Sequence, residues 1–188
     1  ETGPTLVIRK LWPGETDRFS DHLLRLDKES RRFRFAHAVA DSFIEDYANR
    51  MSDMGGLVLG AFVDGEMRAA AELKKLGETW GREAEAAFSV EAAYQDRGLG
   101  SELMGRVIRL ARNRGVAHLY ISCLADNQRM QSIARKHDAV LRLEYGEIIG
   151  DIVPTIPDYA SIMEEAVEDR VGYMLAVLDL SKRIVKAA

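Results

Sequence analysis

Two periods of hydrophobic and polar residues alternate along the chain and divide it into strands and helices. Strand-like runs cover residues 5–11, 55–63, 66–76, 83–90, 117–124, 139–146 and 147–154. Helical spacing follows Pro13-Gly14, where Thr16 or Asp17 is the predicted cap, and returns in residues 41–51, 98–114, 127–138 and from Ser161 onward. Asp64-Gly65 and Tyr145-Gly146 are the predicted hairpin turns. The element order predicts a mixed α/β domain rather than a regular βαβ alternation.

Two local signals complete this prediction. Ser42 stands three residues before Glu45, the spacing of a capping box. Residues 29–35, ESRRFRF, are interpreted as a basic and aromatic connector between the first two helices. Its arginines could attract an acidic ligand, but a solvated loop with its phenylalanines in the core is the preferred interpretation.

Composition narrows the class of protein. The chain has 188 residues, is 47% hydrophobic and 30% charged, and can bury a core. A net charge of −4 gives no sign of a nucleic-acid partner. A lone cysteine, Cys123, and four histidines without ligand spacing predict no metal site. Without a bilayer-length apolar run or a signal-like start, we expect no membrane partner and a cytoplasmic protein.

The turn Gln95-Asp96-Arg97-Gly98-Leu99-Gly100 joins an apolar strand to an amphipathic helix. The start of a helix has unpaired amide N–H groups and the positive end of the helix dipole, so it binds anions. Gly98 and Gly100 would let the backbone approach such an anion closely. The turn fits neither a P-loop nor the dinucleotide fingerprint, whose third glycine is replaced near Met104. A plain structural turn and an anion site both remain open at this point.

The segment AFSVEAAYQDRGLGSELM resembles the acetyl-CoA-binding motif of the GCN5-related N-acetyltransferase (GNAT) family. The element order over residues 5–153 matches that family, and LDKESRRFRF resembles a stretch of a bacterial subgroup that includes protein-lysine acetyltransferases. The resemblance implies a mostly antiparallel sheet of six to seven strands, splayed at the cofactor strand and flanked by helices. It also implies transfer of acetyl from acetyl-CoA to a primary amine, on a protein lysine or a small molecule. The alternative is a non-catalytic acyl-CoA sensor of the same fold.

The resemblance also assigns the cofactor-binding residues. The strand would pair its backbone with the pantetheine arm, the turn would hold the pyrophosphate through its amides, and an asparagine opening the next helix would lie beside the cofactor. That asparagine is equally a good helix N-cap. These residues are Phe88, Ser89 and Val90 on the strand, Gln95, Asp96, Arg97, Gly98, Leu99, Gly100 and Ser101 in the turn, and Asn127.

Acetyl transfer needs a base, because a lysine amine with a pKa of ~10.4 is protonated in water. Glu85 is the predicted base; it alternates onto the same face as Ala87 and Ser89, and Glu83, Glu72 and Glu91 are weaker alternatives. The family's usual tyrosine, which protonates the departing thiolate, is replaced by Ala134. Ser132, Tyr145 or solvent could supply that proton.

The family resemblance ends near Val153, so we expect an acetyltransferase domain over residues 1–156 and a helical extension over residues 157–188. Ser161 and Glu164 have capping-box spacing at its start. An apolar stripe from Ile162 to Ile184 would run along about 38 Å of helix. We expect the helix to pack on the core, to fold back at Gly172, or to form part of a homodimer interface.

Overall fold

A computed structural model of the chain describes residues 5–53 and 55–187. Within them lies one seven-stranded sheet with the strand order β1-β2-β3-β4-β5-β7-β6. Every neighbouring pair is antiparallel except β4 and β5, which are parallel. The strands are β1 (Leu6–Lys10), β2 (Leu57–Val63), β3 (Glu66–Lys75), β4 (Glu83–Val90), β5 (His118–Leu124), β6 (Val140–Glu144) and β7 (Glu147–Ile152).

Six α-helices surround the sheet in the described residues, and a short 3₁₀ turn, Ala92–Tyr94, follows β4. One core cluster lies under α4 and the other lies under α1 and α3, on opposite faces of the sheet. The helices are α1 (Thr16–Arg25), α2 (Lys28–Phe35), α3 (Asp41–Asp53), α4 (Leu99–Asn113), α5 (Gln128–Lys136) and α6 (Tyr159–Ala187). The mixed fold, the mostly antiparallel sheet and the C-terminal helix predicted from the sequence are confirmed.

The two parallel strands diverge along their length. Backbone pairing of β4 with β5 covers only Glu83–Ala86, opposite His118–Ile121, although both strands continue further. On its other side β4 stays paired with β3 as far as Val90. The sheet is therefore splayed at β4, and this V-shaped opening is where a ligand can add to the strand edge.

Both tight hairpins have the predicted turn chemistry. Asp64 and Gly65 have φ of 50° and 82°, and Tyr145 and Gly146 have φ of 50° and 90°. Positive φ at both central positions is the type I′ geometry, whose twist matches that of the flanking strands. The β2–β3 and β6–β7 hairpins are confirmed.

The predicted connector at residues 29–35 is wrong, because these residues form most of α2. Asp27 caps this helix, and its carboxylate accepts the Ser30 amide N–H at 2.8 Å. Phe35 is buried, whereas the arginines of this helix reach partners elsewhere in the fold.

Several predicted helix starts are displaced by a few residues. Glu15 occupies the N-cap position of α1 and makes no side-chain cap, and Ser42 lies inside α3 rather than before it. The capping box of α6 joins Asp158 to Ser161: the Ser161 N–H donates to Asp158 Oδ1 at 2.7 Å, and the Asp158 N–H donates to Ser161 Oγ at 3.3 Å. Ser161 is thus the third residue of the helix.

The C-terminal helix runs through Gly172 without folding back. It contacts α4 and the edge strand β1, and a Cβ built on Gly172 would lie 3.2 Å from Arg9 Cβ. Glycine therefore permits a close approach of the helix to the sheet edge. None of the described helices is both long and apolar enough to cross a lipid bilayer.

Candidate active site

A cavity of about 400 Å³ lies in the opening between β4 and β5. Its walls come from the diverging strands, from α2, from the turn before α4 and from α5. The cavity touches all but two of the residues predicted from the sequence: Phe88, Ser89, Val90, Gln95, Asp96, Gly98, Leu99, Gly100, Ser101 and Asn127 line it, whereas Arg97 and Glu85 lie outside its lining.

The turn before α4 presents a row of free amide groups. Among the described residues, the N–H groups of residues 96–101 have no protein acceptor, and the first amide to bond back is that of Glu102, to the Gly98 carbonyl at 3.0 Å. Asp96 and Gly98 take left-handed conformations, with φ of 58° and 83°. Unpaired amides at the start of a 15-residue helix form an anion site, because the helix dipole adds to their partial charges.

The two glycines of the turn have different roles. Gly98 is the N-cap of α4 in a left-handed conformation, and a Cβ there would meet nothing within 4 Å. A Cβ on Gly100 would lie 2.9 Å from Ile133 Cδ1. Gly98 thus leaves room on the ligand side, whereas Gly100 allows α4 and α5 to pack closely.

The polar side chains of the turn mostly contact other groups of the protein rather than the cavity. Gln95 Nε2 donates to the Val90 carbonyl at 2.9 Å and to Ser30 Oγ at 3.2 Å, and Gln95 Oε1 accepts from Arg129. The guanidinium of Arg97 lies 5.6 Å from the centre of the Tyr94 ring. Gln95 therefore connects the end of β4 to α2 and α5, and Arg97 stacks outside the cavity.

Below the cavity, the end of β4 is anchored by a buried polar cluster. His22 is fully buried; its Nε2 lies 2.9 Å from Ser89 Oγ, and its Nδ1 lies 3.1 Å from Glu91 Oε1. Arg25 and Arg68 also donate to the Glu91 carboxylate, each at 3.0 Å. Burial lowers the pKa of His22, and hydrogen bonds from His22 and Arg68 outweigh burial to lower the pKa of Glu91.

Serine, histidine and glutamate follow one another here as in a hydrolase triad. Ser89 is, however, four residues along β4 from Glu85, about 13 Å at the rise of a strand. The Ser89 side chain is also engaged by His22, and the residue is only 7% exposed. The cluster fixes the direction of β4 beside the cavity.

Asn127 both caps a helix and lies at the cavity, the two roles considered from the sequence. Its Oδ1 accepts the Met130 amide N–H at 3.1 Å and so caps α5, and the residue also lines the cavity. Its Nδ2 group has no protein acceptor among the described residues and can donate to a ligand.

Of the four glutamates considered as the base, three accept hydrogen bonds from neighbouring side chains. Glu72 is 1% exposed at its side chain and is bound by Arg34 and Tyr47. Glu91 belongs to the His22 cluster, and Glu83 accepts the Tyr120 hydroxyl at 3.0 Å. Glu85 has only Lys74 Nζ nearby, at 3.8 Å, and its side chain is 41% exposed. It shares its strand face with Ala87, about 7 Å away along β4.

The α2 wall was missed by sequence reasoning. Ser30, Phe33 and Arg34 line the cavity, and Arg34 also bonds Glu72 and, at 2.5 Å, the Tyr47 hydroxyl. Burial and the Glu72 carboxylate raise the pKa of Tyr47, so its hydroxyl stays protonated. Asp27 was the available signal, because aspartate is a preferred N-cap residue.

The candidates for the group that protonates the leaving thiolate differ in whether they line the cavity. Ala134 is buried in the core at the tyrosine position, and Tyr145 lies fully exposed in the β6–β7 turn, outside the cavity lining. Ser132 lines the cavity. Cys123 also does so, and burial together with Glu147 raises the pKa of its thiol to about 11.

In the residues that the structure describes, no group of three or more His, Cys, Asp and Glu side chains could hold a metal ion.

Fold and site together define a domain whose sheet opens at β4 beside a free helix start. A family model described as the Acetyltransferase (GNAT) family matches residues 20–138, more than half of the chain, and the chain belongs to this family. The predicted family and the predicted fold are confirmed.

Similar proteins of known sequence or structure support the assignment to this family. The chain is 26% identical over 198 residues to "Acetyltransferase Pat" of Mycolicibacterium smegmatis, covering 99% of this chain but 55% of that protein. The GNAT domain of S. lividans PAT aligns with a TM-score of 0.67 and 21% identity, over 80% of this chain and 96% of that domain. YncA of Salmonella typhimurium, solved with its cofactor acetyl-CoA, aligns with a TM-score of 0.62 and 15% identity, over 82% and 99% of the two chains. The chain thus spans about half the length of the curated relative it matches.

Proposed function

We propose that the chain transfers the acetyl group of acetyl-CoA to a primary amine, on a protein lysine or on a small molecule, with Glu85 as the base. The observation that carries this proposal is the Glu85 carboxylate beside the splay: it is 41% exposed with Lys74 at 3.8 Å, whereas the other three candidate carboxylates accept closer hydrogen bonds. A second copy of the chain is the other partner that we propose.

Binding would use the elements that surround the cavity. The free amides of residues 96–101 would hold the pyrophosphate, and β4 from Phe88 to Val90 would hydrogen-bond the pantetheine arm along its unpaired edge. Asn127 Nδ2 would donate to the arm from α5. This arrangement directs the thioester toward Ala87 and the Glu85 end of the opening.

In the reaction, the neutral amine nitrogen attacks the thioester carbonyl, a C–N bond forms, and the C–S bond breaks. Glu85 accepts the amine proton through a water, since it lies about 7 Å along the strand from Ala87. The thiolate takes a proton from Ser132 or from solvent. Because a thiol pKa is near 8.5, departure of the thiolate does not require a strong acid.

Replacing the base tests the catalytic assignment. Glu85→Gln should lower the rate of CoA release by roughly 10²–10⁴, with acetyl-CoA affinity nearly unchanged, because the amide cannot accept the proton. Part of the rate should return at high pH, where the amine deprotonates unaided. Glu83→Gln is the matched control on the same strand and should keep most of the activity. Wild-type turnover in Glu85→Gln would move the role to water or another carboxylate.

The pyrophosphate assignment is tested with a pair of variants at Gly98. Aspartate and asparagine both tolerate left-handed φ and differ by a charge. Gly98→Asp should weaken acetyl-CoA binding by at least about 100-fold, because the carboxylate faces the phosphates, whereas Gly98→Asn should retain most of it. Calorimetric titration of folded protein measures both affinities. Equal affinities in the two variants would contradict a phosphate at this turn.

A non-catalytic acyl-CoA sensor is the second candidate, favoured by the buried Ala134 at the tyrosine position. A panel of lysine peptides and small amines separates the two functions. CoA release with any acceptor class identifies the enzyme and its substrate. Tight acetyl-CoA binding without release across the panel identifies the sensor.

A further inference from the structure

The C-terminal helix α6 attaches to the domain through its polar side. Within the described residues, its inner face carries mainly small or charged side chains, together with the half-buried Leu175. At the margin of this face the Tyr173 ring packs edge-on against Trp12, with 5.2 Å between the ring centres. This inner face consists of Ser161, Glu165, Glu168, Asp169, Gly172, Leu175, Ala176 and Asp179, all buried or half-buried.

Ion pairs dominate the attachment. Glu165 bonds Lys10 Nζ at 2.6 Å and Arg114 Nη2 at 2.8 Å, and Asp169 bonds Lys10 Nζ at 2.8 Å. Further along the helix, Glu168 pairs with Arg106 and Arg109, and Asp179 pairs with Arg18. Nearly all of the acidic residues of α6 therefore face the domain.

Apolar residues instead point to solvent over more than half of the helix circumference. The outer face comprises Ile162, Met163, Val167, Val171, Met174, Val177, Leu178, Leu180, Ile184 and Val185, each between 43% and 78% exposed. Arg170 is the one charged residue at its centre among the described side chains. This arrangement reverses the usual amphipathic helix, in which the apolar stripe faces the core.

With its apolar side chains 43–78% exposed, or roughly 100 Å² each, the outer face exposes on the order of 1,000 Å² of apolar surface. The largest patch on a typical monomer is about 300–600 Å². One partner in an interface of standard size contributes about 800 Å². The outer face is therefore large enough for a stable protein interface.

We propose that the outer face of α6 packs against the same face of a second copy, in an antiparallel pair about a two-fold axis at Met174. A two-fold interface matches one patch with itself, which suits a face with almost no charge. The residues Val167, Val171, Met174, Leu178 and Val185 follow the spacing of a coiled-coil seam.

Charge at the margin of this face favours the antiparallel direction. Glu164 lies near the start of the helix and Lys182 lies near its end, on the same flank and about equally far from Met174. Glu164 pairs with Arg109 of its own chain at 2.7 Å but is still 57% exposed. Antiparallel packing brings Glu164 of one copy toward Lys182 of the other, whereas parallel packing brings like charges together. A lipid surface fits less well, because membrane-surface helices are rich in Lys and Arg on their polar side and the polar side of α6 is acidic.

Light scattering on the full chain at micromolar concentration should give the mass of a dimer. Met174→Glu should weaken the dimer at least about 100-fold, since it places a charge at the centre of an apolar interface. Leu143→Glu is the matched control, because Leu143 is 68% exposed on β6, away from α6. Acetyl-CoA affinity should be unchanged in both variants, which shows that they fold. A monomeric wild-type chain would overturn the proposal. If that monomer also bound anionic vesicles, the outer face would be a lipid-binding surface instead.

Cross-linking tests the direction of packing in a Cys123→Ala background. Met174→Cys should form a disulfide-linked dimer alone, because this position meets itself at the axis. Met163→Cys and Val185→Cys should not cross-link singly, and should do so when the two variants are mixed. Efficient self-linking at all three positions would mean a parallel pair and would overturn the antiparallel assignment.

Discussion

The helices α4 and α6 lie side by side on the domain but use their faces in opposite ways. α4 buries Leu103, Met104 and Val107 completely in the core. α6 buries Glu165 in ion pairs, and its residue Met174 is 64% exposed. Both helices are continuous, and both have large numbers of apolar residues.

This difference shows that an apolar stripe identifies a helix but does not decide what covers the stripe. In α4 the hydrophobic effect fixes the helix on the sheet, and its polar start is left free for a ligand. In α6 charge pairing fixes the helix, and its apolar side is left free for a partner. The proposed phosphate site on α4 and the proposed interface on α6 are in each case the part of the helix that makes no contact within the described part of the fold.

The largest difference should appear when one large apolar residue is removed from each helix. Leu103→Ala should lower the free energy of unfolding by about 2–5 kcal/mol at any protein concentration, because it leaves a cavity in the core. Leu178→Ala should change it by less than about 0.5 kcal/mol in dilute protein, since the residue is 56% exposed. Urea unfolding at two protein concentrations measures both effects, and only Leu178→Ala should cost more in concentrated protein. A large cost of Leu178→Ala in dilute protein would mean that its face packs within one chain.

Removing one charge from the inner face of α6 should have a smaller effect. Glu165→Gln should cost about 1–3 kcal/mol at neutral pH, because Lys10 and Arg114 lose a buried charged acceptor. Glu164→Gln is the matched control on the same helix: Glu164 also has an arginine partner, Arg109 at 2.7 Å, but its side chain is 57% exposed, so solvent screens the pair. Equal, negligible costs for the two variants would mean that the ion pairs do not hold the helix.

The same carboxylate predicts a pH dependence. Burial would raise the pKa of Glu165, but hydrogen bonds from Arg114, Lys10 and Asn113 outweigh burial and lower it from near 4.5 to about 2. A carboxylate with a lowered folded-state pKa stabilises the protein fully above its unfolded pKa and loses this contribution as the pH falls toward the folded value. The difference between wild type and Glu165→Gln should therefore shrink between pH 4.5 and pH 2. A constant difference across this range would contradict the lowered pKa.

The sequence predicted those parts of the molecule whose causes are local. The turn before α4 combines glycines, a helix start and an amphipathic stripe within a few residues. The β2–β3 hairpin depends on only two turn residues, Asp64 and Gly65. Both are where the pattern placed them. The splay of β4 came from the family resemblance rather than from residue patterns.

Features that depend on distant partners were not predicted. Arg34 looked like a solvated residue because its partners Glu72 and Tyr47 belong to other elements. The inner face of α6 likewise takes Lys10 from a strand 155 residues away. Sequence reasoning ranked Glu85 first but could not separate it clearly from Glu83, because the separation depends on which carboxylates other elements bind. Catalysis by Glu85 remains a prediction.

The smallest effect is expected at the exposed end of α6. Arg183 Nη2 lies 3.0 Å from Asp17 Oδ2, but the two side chains are 48% and 53% exposed. Solvent and salt screen such a pair, and holding two flexible side chains costs entropy, so exposed pairs contribute little. Arg183→Ala should change the free energy of unfolding by no more than about 0.5 kcal/mol, measured beside Glu165→Gln in the same urea titrations. A cost as large as that of Glu165→Gln would show that the helix is held along its whole length by charge, rather than chiefly by the buried pairs around Lys10 and Arg114.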